Sequence, residues 1–165
     1  PAKNFEDLID DAPLRLAAQG DWELGKSRIL RRGEDATVIA YGAMVQNALD
    51  AAQTLASDGI EIEIIDARFC KPVDGSMLAR VLATGRPVLT VEDHSLQNGF
   101  GSSVLEYAQG HSLPTENLIR LGHPDRLIAH ASRKEQLAEV GLDAAGVVRC
   151  VRKAIASTAK ANSIV

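Results

Sequence analysis

Short apolar runs alternate with stretches of helical periodicity along most of the chain. Runs bounded by Gly, Pro, Asp or Asn are typical of strands, and they occur at 26–32, 36–42, 60–69, 87–93 and 117–122. Between them, apolar residues recur at the three- and four-residue spacing of an amphipathic helix. These helical stretches are 45–57, 75–84, 101–108, 132–140 and 143–160. The pattern predicts the element order β-β-α-β-α-β-α-β-α-α.

This order predicts an α/β fold, because strands joined through helices run parallel and carry helices on both faces of the sheet. The expected architecture is a three-layer α/β/α sandwich around a five-stranded mixed sheet. The first two strands are separated only by the turn at 33–35, which is too short for a parallel crossover. We therefore expect the first strand to run antiparallel to the others.

Three local patterns refine this picture. Three isoleucines alternate with two glutamates in the run Ile60, Glu61, Ile62, Glu63 and Ile64, which predicts that one face of that strand is at least partly solvated. The run 87–93 is the most apolar and is predicted to be central. Asp74 precedes a helical stretch and is predicted to cap it.

Composition and charge narrow the class of protein. The length of 165 residues suits one ordinary domain. A net charge of −4 gives no general attraction to nucleic acid or to an anionic membrane, and no apolar run approaches the ~18 residues of a membrane span. The two cysteines lie far apart without a paired spacing, so we expect reduced thiols in a cytoplasmic protein.

The first 23 residues differ from the rest, because their periodicity is weak and the chain begins at Pro1 without a Met. We predict a linker or N-terminal extension over 1–23 and a domain over 24–165. A fragment of a longer protein would have such a start.

The segment "TVEDHSLQNGFGSSVLEY" (90–107) is the strongest candidate for a site. Its glycines could cradle a phosphate at a helix start, but the spacing is neither GxGxxG nor GxxxxGK[ST]. They more simply allow a turn and a close approach of helix and strand. Glu92, Asp93 and His94 cannot converge while the strand persists, because neighbouring residues face opposite sides. No catalytic triad is predicted.

Other polar residues follow the carboxyl ends of the strands, where ligands gather in open α/β sheets. Arg68 and Lys71 could meet a phosphate or pair with Asp66 and Asp74, and the sequence leaves both open. The four histidines lack a metal-binding spacing. We assign no catalytic, cofactor-binding or metal-binding residue.

Three segments together resemble the carboxyl-terminal domain of the transketolase-like thiamine diphosphate enzymes. "GEDATVIAYGAMVQNALDAAQTLASDGIEIEIIDARFCKPVD" (33–74) is a pattern shared across that superfamily. "VLTVEDHSLQNGFGSSVLEY" (88–107) and "HPDRLIAHASRKEQLAEVGLDAAGV" (123–147) are more discriminating. Their "EDH…GFGS", "PD…H" and "GLDAAG" are similar to the 1-deoxy-D-xylulose 5-phosphate synthase family. The likeness runs from about Leu24 to Ile155.

The resemblance implies a homodimeric transferase in which this domain follows two others. Such an enzyme decarboxylates pyruvate on thiamine diphosphate with Mg²⁺ and condenses the product with glyceraldehyde 3-phosphate, which feeds isoprenoid, thiamine and pyridoxal synthesis. The motifs that bind the cofactor and activate it belong to the preceding domains. The resemblance therefore implies that this domain binds neither group and is inactive alone.

The implied role is contact with the preceding domains of the same chain and with a second copy. We expect no nucleic acid or membrane partner. The residues expected at the domain seam or substrate edge are His94, Asn98, Arg68, Lys71 and His130. Ala131 stands where many members have a glycine after the histidine, which puts the loop geometry there in question.

Two alternatives stay open. One is the equivalent domain of another transketolase-type protein, such as a 2-oxoacid dehydrogenase β subunit, against which "GLDAAG" argues. The other is a stand-alone α/β module that binds a small anion at its strand-end loops.

Overall fold

The computed structural model describes residues 23–162, with side chains up to 159. Its strands are β1 (Arg28–Arg31), β2 (Ala36–Ala40), β3 (Ile62–Asp66), β4 (Val88–Ser95) and β5 (Leu118–His123). Its helices are α1 (Met44–Ala56), α2 (Gly75–Leu82), α3 (Phe100–Gly110), α4 (Arg133–Val140) and α5 (Ala144–Asn162). None of the helices in this part of the chain is long and apolar enough to cross a bilayer.

The strands form one sheet in the order β1-β3-β2-β4-β5. β1 runs antiparallel to β3, while the pairs β2–β3, β2–β4 and β4–β5 are parallel. The predicted mixed sheet with an antiparallel first strand is confirmed.

Two apolar clusters cover the two faces of this sheet. On β2, Val38 and Ala40 contribute to the cluster that also contains residues of α1, α4 and α5. Ile39, between them, belongs to the cluster formed with α2 and α3. Because successive side chains of a strand face opposite sides, this alternation puts β2 between two helical layers. The three-layer sandwich is therefore confirmed.

Two local expectations were wrong. The central strand is β2, and β4 lies between β2 and β5. Glu63 is only 3% exposed, so its side of β3 is not solvated. Arg80 on α2 donates to both carboxylate oxygens of Glu63, at 3.0 and 3.2 Å, and Thr37 donates to one of them. A paired carboxylate can be buried, because its partner offsets part of the cost of desolvation.

The helix start at Asp74 is as predicted. Its carboxylate accepts from the Met77 N–H at 3.1 Å and from the Ser27 N–H and hydroxyl, both at 2.9 Å. Asp74 thus joins the beginning of α2 to the segment that leads into β1. That segment lies at the carboxyl ends of the parallel strands, since Arg28 is opposite Asp66, the last residue of β3. The described chain therefore begins at the carboxyl edge of the sheet.

Candidate functional site at the carboxyl edge of the sheet

A cleft of about 450 Å³ lies over the carboxyl ends of β2, β3 and β4. The rings of Tyr41 and Phe100 stack with their centroids 5.3 Å apart and contribute to its wall. The lining residues are Tyr41, Gly42, Ala43, Cys70, Glu92, Asp93, His94, Asn98, Gly99 and Phe100. Its polar groups come from the segment that the sequence singled out, together with the loop after β3.

Glu92 occupies the N-terminus of α3. Its side chain is buried, and its two carboxylate oxygens accept from the backbone N–H groups of Phe100 at 2.5 Å and Gly101 at 2.8 Å. A helix N-terminus offers free N–H groups and a positive dipole end to an anion. Here the chain's own carboxylate takes that place, so these donors are not available to a phosphate group.

The glycines of this segment allow a close approach. A Cβ atom on Gly99 would lie 2.1 Å from Glu92 Oε2 and 2.4 Å from the Ser95 carbonyl oxygen. One on Gly101 would lie 2.7 Å from Thr90 Oγ1. Both distances are too short for any side chain without displacement of a neighbour. The interpretation of this segment as a close joint between strand and helix is confirmed.

Asp93 points away from Glu92 and forms an ionic cluster with β5 and α4. Its Oδ1 lies 2.7 Å from His123 Nε2, and its Oδ2 accepts from Arg133 Nη2 at 2.7 Å. The hydrogen bond with His123, followed by the contact with Arg133, lowers the pKa of the Asp93 carboxyl although partial burial opposes this. Within residues 23–162, the His123 ring forms a hydrogen bond only with Asp93. No serine or cysteine there completes a catalytic triad.

Further hydrogen bonds hold the loop 124–132 between β5 and α4. Gln97 donates to Asp125 at 3.3 Å, and Gln136 donates to the Ala129 carbonyl at 3.1 Å. Ser132 and Glu135 form a capping box at the start of α4. Although much of this loop is exposed, it is held at several points along its length.

Arg68 and Lys71 have different surroundings. Arg68 has a φ of 58°, and its backbone N–H donates to Asp66 Oδ1 at 3.0 Å. Asp66 also accepts from Arg28 Nη2 at 3.2 Å. Burial and the nearby Arg28 lower the pKa of the Arg68 guanidinium, and Asp66 acts in the opposite direction. Lys71 is exposed and does not pair with Asp74, whose carboxylate is bonded to Ser27, Ser76 and Met77.

His94, Asn98 and His130 are all exposed. His94 and Asn98 line the cleft, whereas His130 lies on the loop 124–132. Asn98 has a φ of 60°, a conformation that asparagine tolerates better than most residues. In the described part of the chain, Ala131 is not among the residues with positive φ. The alanine at that position therefore imposes no backbone strain.

Sequence reasoning missed three features of this edge. Only a weak sequence signal indicated that Glu92 caps α3. The signal is a carboxylate near the end of a strand that is followed by a glycine-rich helix start. The contact between Asp93 and Arg133 spans 40 positions and had no local signal. Leu127 is 97% exposed on the loop 124–132. Nothing in the sequence pattern distinguished it from the leucines that are buried in the core.

The described residues do not fit thiamine diphosphate with Mg²⁺. Glu92 occupies the start of α3 at the cleft, and residues 23–162 contain no group of three His, Cys, Asp or Glu side chains that could hold a metal ion. We therefore derive no chemical step through that group on this domain.

Comparisons with known proteins agree with this architecture. The family described as "Transketolase, C-terminal domain" matches residues 25–147. The 1-deoxy-D-xylulose-5-phosphate synthase of Geobacillus thermodenitrificans (strain NG80-2) is 44% identical over 137 residues, which are 83% of this chain and 21% of the relative. The protein of that name from Synechococcus sp. (strain JA-2-3B'a(2-13)) is 41% identical over 140 residues, again 83% and 21%. The chain thus spans about a fifth of the length of these curated relatives.

Solved structures show the same fold. One described as "Split gene transketolase, inactive beta4 tetramer" has a TM-score of 0.73 and 32% identity, covering 82% of this chain and 44% of that one. A transketolase from Pichia stipitis in complex with sedoheptulose-7-phosphate has a TM-score of 0.53 and 22% identity, covering 80% and 18%. The second likeness concerns the fold alone.

Proposed function

This chain belongs to the transketolase C-terminal domain family, and we propose that it is the last domain of a 1-deoxy-D-xylulose 5-phosphate synthase. The observation that carries the proposal is the 44% identity over 137 residues to a protein of that name, of which this chain spans only 21%. The full-length protein is then a transferase that joins pyruvate, after decarboxylation, to glyceraldehyde 3-phosphate. Thiamine diphosphate and Mg²⁺ belong to its preceding domains.

In this proposal the domain contributes contacts rather than catalytic groups. The described chain begins at the carboxyl edge, beside Asp74 and Pro72, and the proposal puts the preceding domain at that edge. In this proposal residues 1–23 are a linker or N-terminal extension and 24–165 are the domain. The seam includes the proposed residues His94, Asn98, Arg68, Lys71 and His130. The full-length enzyme is proposed to be a cytoplasmic homodimer.

The loop 124–132 supports an interface at this edge. Leu127 is 97% exposed on a loop that hydrogen bonds and ion pairs hold in place. Full burial of a leucine side chain stabilises a contact by roughly 1.5–3 kcal/mol. An exposed leucine on the same held loop as His130 is therefore suited to insert into a neighbouring domain.

The test compares the full-length protein with this chain alone. We expect the full-length protein to form deoxyxylulose phosphate from pyruvate and glyceraldehyde 3-phosphate when thiamine diphosphate and Mg²⁺ are supplied. This chain alone should form none. An inactive full-length protein, or a native species with the mass of this chain alone, would contradict the proposal. The second result would favour a stand-alone anion-binding module.

The seam is tested separately by hydroxyl-radical footprinting. His94 and Leu127 should react more slowly in the full-length protein than in this chain alone, because another domain covers them. His111, which is exposed just after α3, is the control and should react equally in both. Equal reactivity of His94 and Leu127 in the two proteins would place the preceding domains elsewhere.

A further inference from the structure

We infer that the opposite, amino edge of the sheet carries a binding site for a phosphate group. A cleft of about 370 Å³ lies there, between the turn after β1, the outer surface of β3, the end of α2 and the residue before Pro87. Its lining residues are Arg32, Gly33, Glu34, Glu63, Arg80 and Arg86. This site is independent of the proposed function, which concerns the carboxyl edge.

The first guanidinium of the cleft is fixed by a buried carboxylate. Arg80 donates to Glu63 through Nη1 only, at 3.0 and 3.2 Å. Glu63 is 3% exposed, whereas the Arg80 side chain is 42% exposed. A guanidinium has five N–H donors in a rigid fork. The remaining nitrogens of Arg80 have no other hydrogen bond within the described residues and are available at the cleft.

A second guanidinium is fixed by the backbone. Arg86 donates through Nη1 to the Gly33 carbonyl at 3.1 Å. Gly33 packs directly on β3, since a Cβ atom there would lie 2.3 Å from the Ile62 carbonyl carbon. The third cation, Arg32, is exposed and makes no side-chain hydrogen bond in the part of the chain that the structure describes.

The charges of the cleft favour an anion. Three arginines and two glutamates, Glu34 and Glu63, line the cleft. Glu63 is already bonded to Arg80 and Thr37, so Glu34 is the carboxylate that opposes an incoming anion. Planar guanidinium forks match the geometry of phosphate and can bind it through two parallel hydrogen bonds. Two of the three forks are held in place before binding, which reduces the entropy lost on binding.

The experiment uses arginine-specific labelling of the full-length protein with phenylglyoxal, followed by peptide mass spectrometry at constant ionic strength. The probes are inorganic phosphate and glycerol 3-phosphate. We expect either probe to slow the labelling of Arg32 and Arg86 in a saturable manner. Protection by both probes would show that the site binds a free phosphate group. Protection by glycerol 3-phosphate alone would show that it binds a phosphate ester. Arg149, which is exposed on α5 without a hydrogen bond among the described residues, should be labelled equally throughout.

The variant Arg32→Gln tests the site without loss of a described hydrogen bond, so the fold should be retained. The readout is the probe concentration that gives half-maximal protection of Arg86 from labelling. In Arg32→Gln this concentration should rise about tenfold, because one charge-assisted hydrogen bond to the probe is lost. Arg149→Gln should leave it unchanged. Labelling of Arg32 and Arg86 that neither probe affects, equal protection of Arg149, or an unchanged half-effect in Arg32→Gln would each overturn the inference.

Discussion

At the scale of single residues, Glu92 decides what the glycine-rich segment can do. The sequence indicated that Gly99 and Gly101 permit a close approach, but it could not show which group fills the start of α3. Glu92 lies eight and nine positions before the N–H groups that it accepts from. Only the path of the chain between β4 and α3 brings the carboxylate to them. In the segment that most resembled a phosphate cradle, the backbone N–H donors are thus already bonded to Glu92.

The close approach at Gly99 predicts the effect of one methyl group. In Gly99→Ala the new Cβ would lie 2.1 Å from Glu92 Oε2 and 2.4 Å from the Ser95 carbonyl oxygen. Either the cap or β4 must shift, so the free energy of unfolding should fall by about 2–3 kcal/mol in urea denaturation of this chain.

Gly110→Ala is the matched control at the other end of α3, where a Cβ atom meets nothing within 4 Å. It should leave the free energy of unfolding unchanged or raise it by up to about 1 kcal/mol, because alanine favours the helix. Equal effects of the two substitutions would contradict the steric argument.

At the scale of elements, polar side chains at helix starts connect parts of the chain that are far apart. Asp74 joins α2 to the segment before β1, and its pKa reflects this. Burial raises that pKa, but the hydrogen bonds from Ser27, Ser76 and Met77 outweigh burial and lower it from 3.8 to about 2. The sequence predicted the cap, yet the bonds to Ser27 depend on where β1 pairs.

The lowered pKa of Asp74 predicts a pH-dependent contribution to stability. Since the folded-state pKa lies below the ordinary value of 3.8, the contribution is fully present above about pH 4 and is lost as the pH falls toward 2. Asp74→Ala should therefore lower the free energy of unfolding by about 2 kcal/mol at pH 7. The difference from the unsubstituted chain should shrink between pH 4 and pH 2.

Urea denaturation at a series of pH values measures this difference. Glu106→Ala, an exposed position of α3, serves as the control and should change the free energy of unfolding by less than about 0.5 kcal/mol. A difference for Asp74→Ala that stays constant down to pH 2 would show that the carboxylate is not the source of the stability.

The cluster of Asp93, His123 and Arg133 predicts a local effect on the loop 124–132. Asp93→Asn removes the charge that both partners contact at 2.7 Å. Because the cluster is partly exposed, the global free energy of unfolding should change by less than about 1 kcal/mol. Amide hydrogen exchange at 124–132 should accelerate about tenfold as the loop opens more often.

Hydrogen exchange with peptide mass spectrometry gives this measurement. Asp50→Asn is the control, since Asp50 is exposed on α1 and its side chain is bonded to Gln46. It should leave exchange at 124–132 unaltered. Unchanged exchange in Asp93→Asn would mean that the remaining contacts of the loop are sufficient to hold it.

At the scale of the whole molecule, the two edges of the sheet differ. The carboxyl edge carries the start of the described chain, the cleft around Tyr41 and Phe100, and the exposed Leu127. The amino edge carries the arginine cleft. A domain that covers the first edge leaves the second accessible, which is why the two proposals can be tested and can fail independently.

The substitution Leu127→Asp separates two effects, that on the stability of the domain and that on the contact between domains in the full-length protein. In this chain alone, the free energy of unfolding should change by less than about 0.5 kcal/mol, because Leu127 is 97% exposed. In the full-length protein, the same substitution places a charge in the proposed seam. Limited proteolysis within 1–23 should then become several-fold faster, since the domain separates more often.

Gln53→Asp on α1 is the control for the same assay and should leave proteolysis unchanged. An equal rate of cleavage for the full-length protein with and without Leu127→Asp would show that Leu127 lies outside the contact between domains.

The sequence by itself determined the element order, the α/β class, the direction of β1, the cap at Asp74 and the family. These follow from periodicity, turn length and local motifs, which act over a few residues. Only the tertiary structure decided that β2 is central, that Glu63 is buried under Arg80, that Glu92 fills the start of α3 and that Leu127 is exposed. Each of these depends on the order in which strands pair and on which helix covers which face. Such contacts join residues far apart in the chain, and their energies are not encoded in any local pattern.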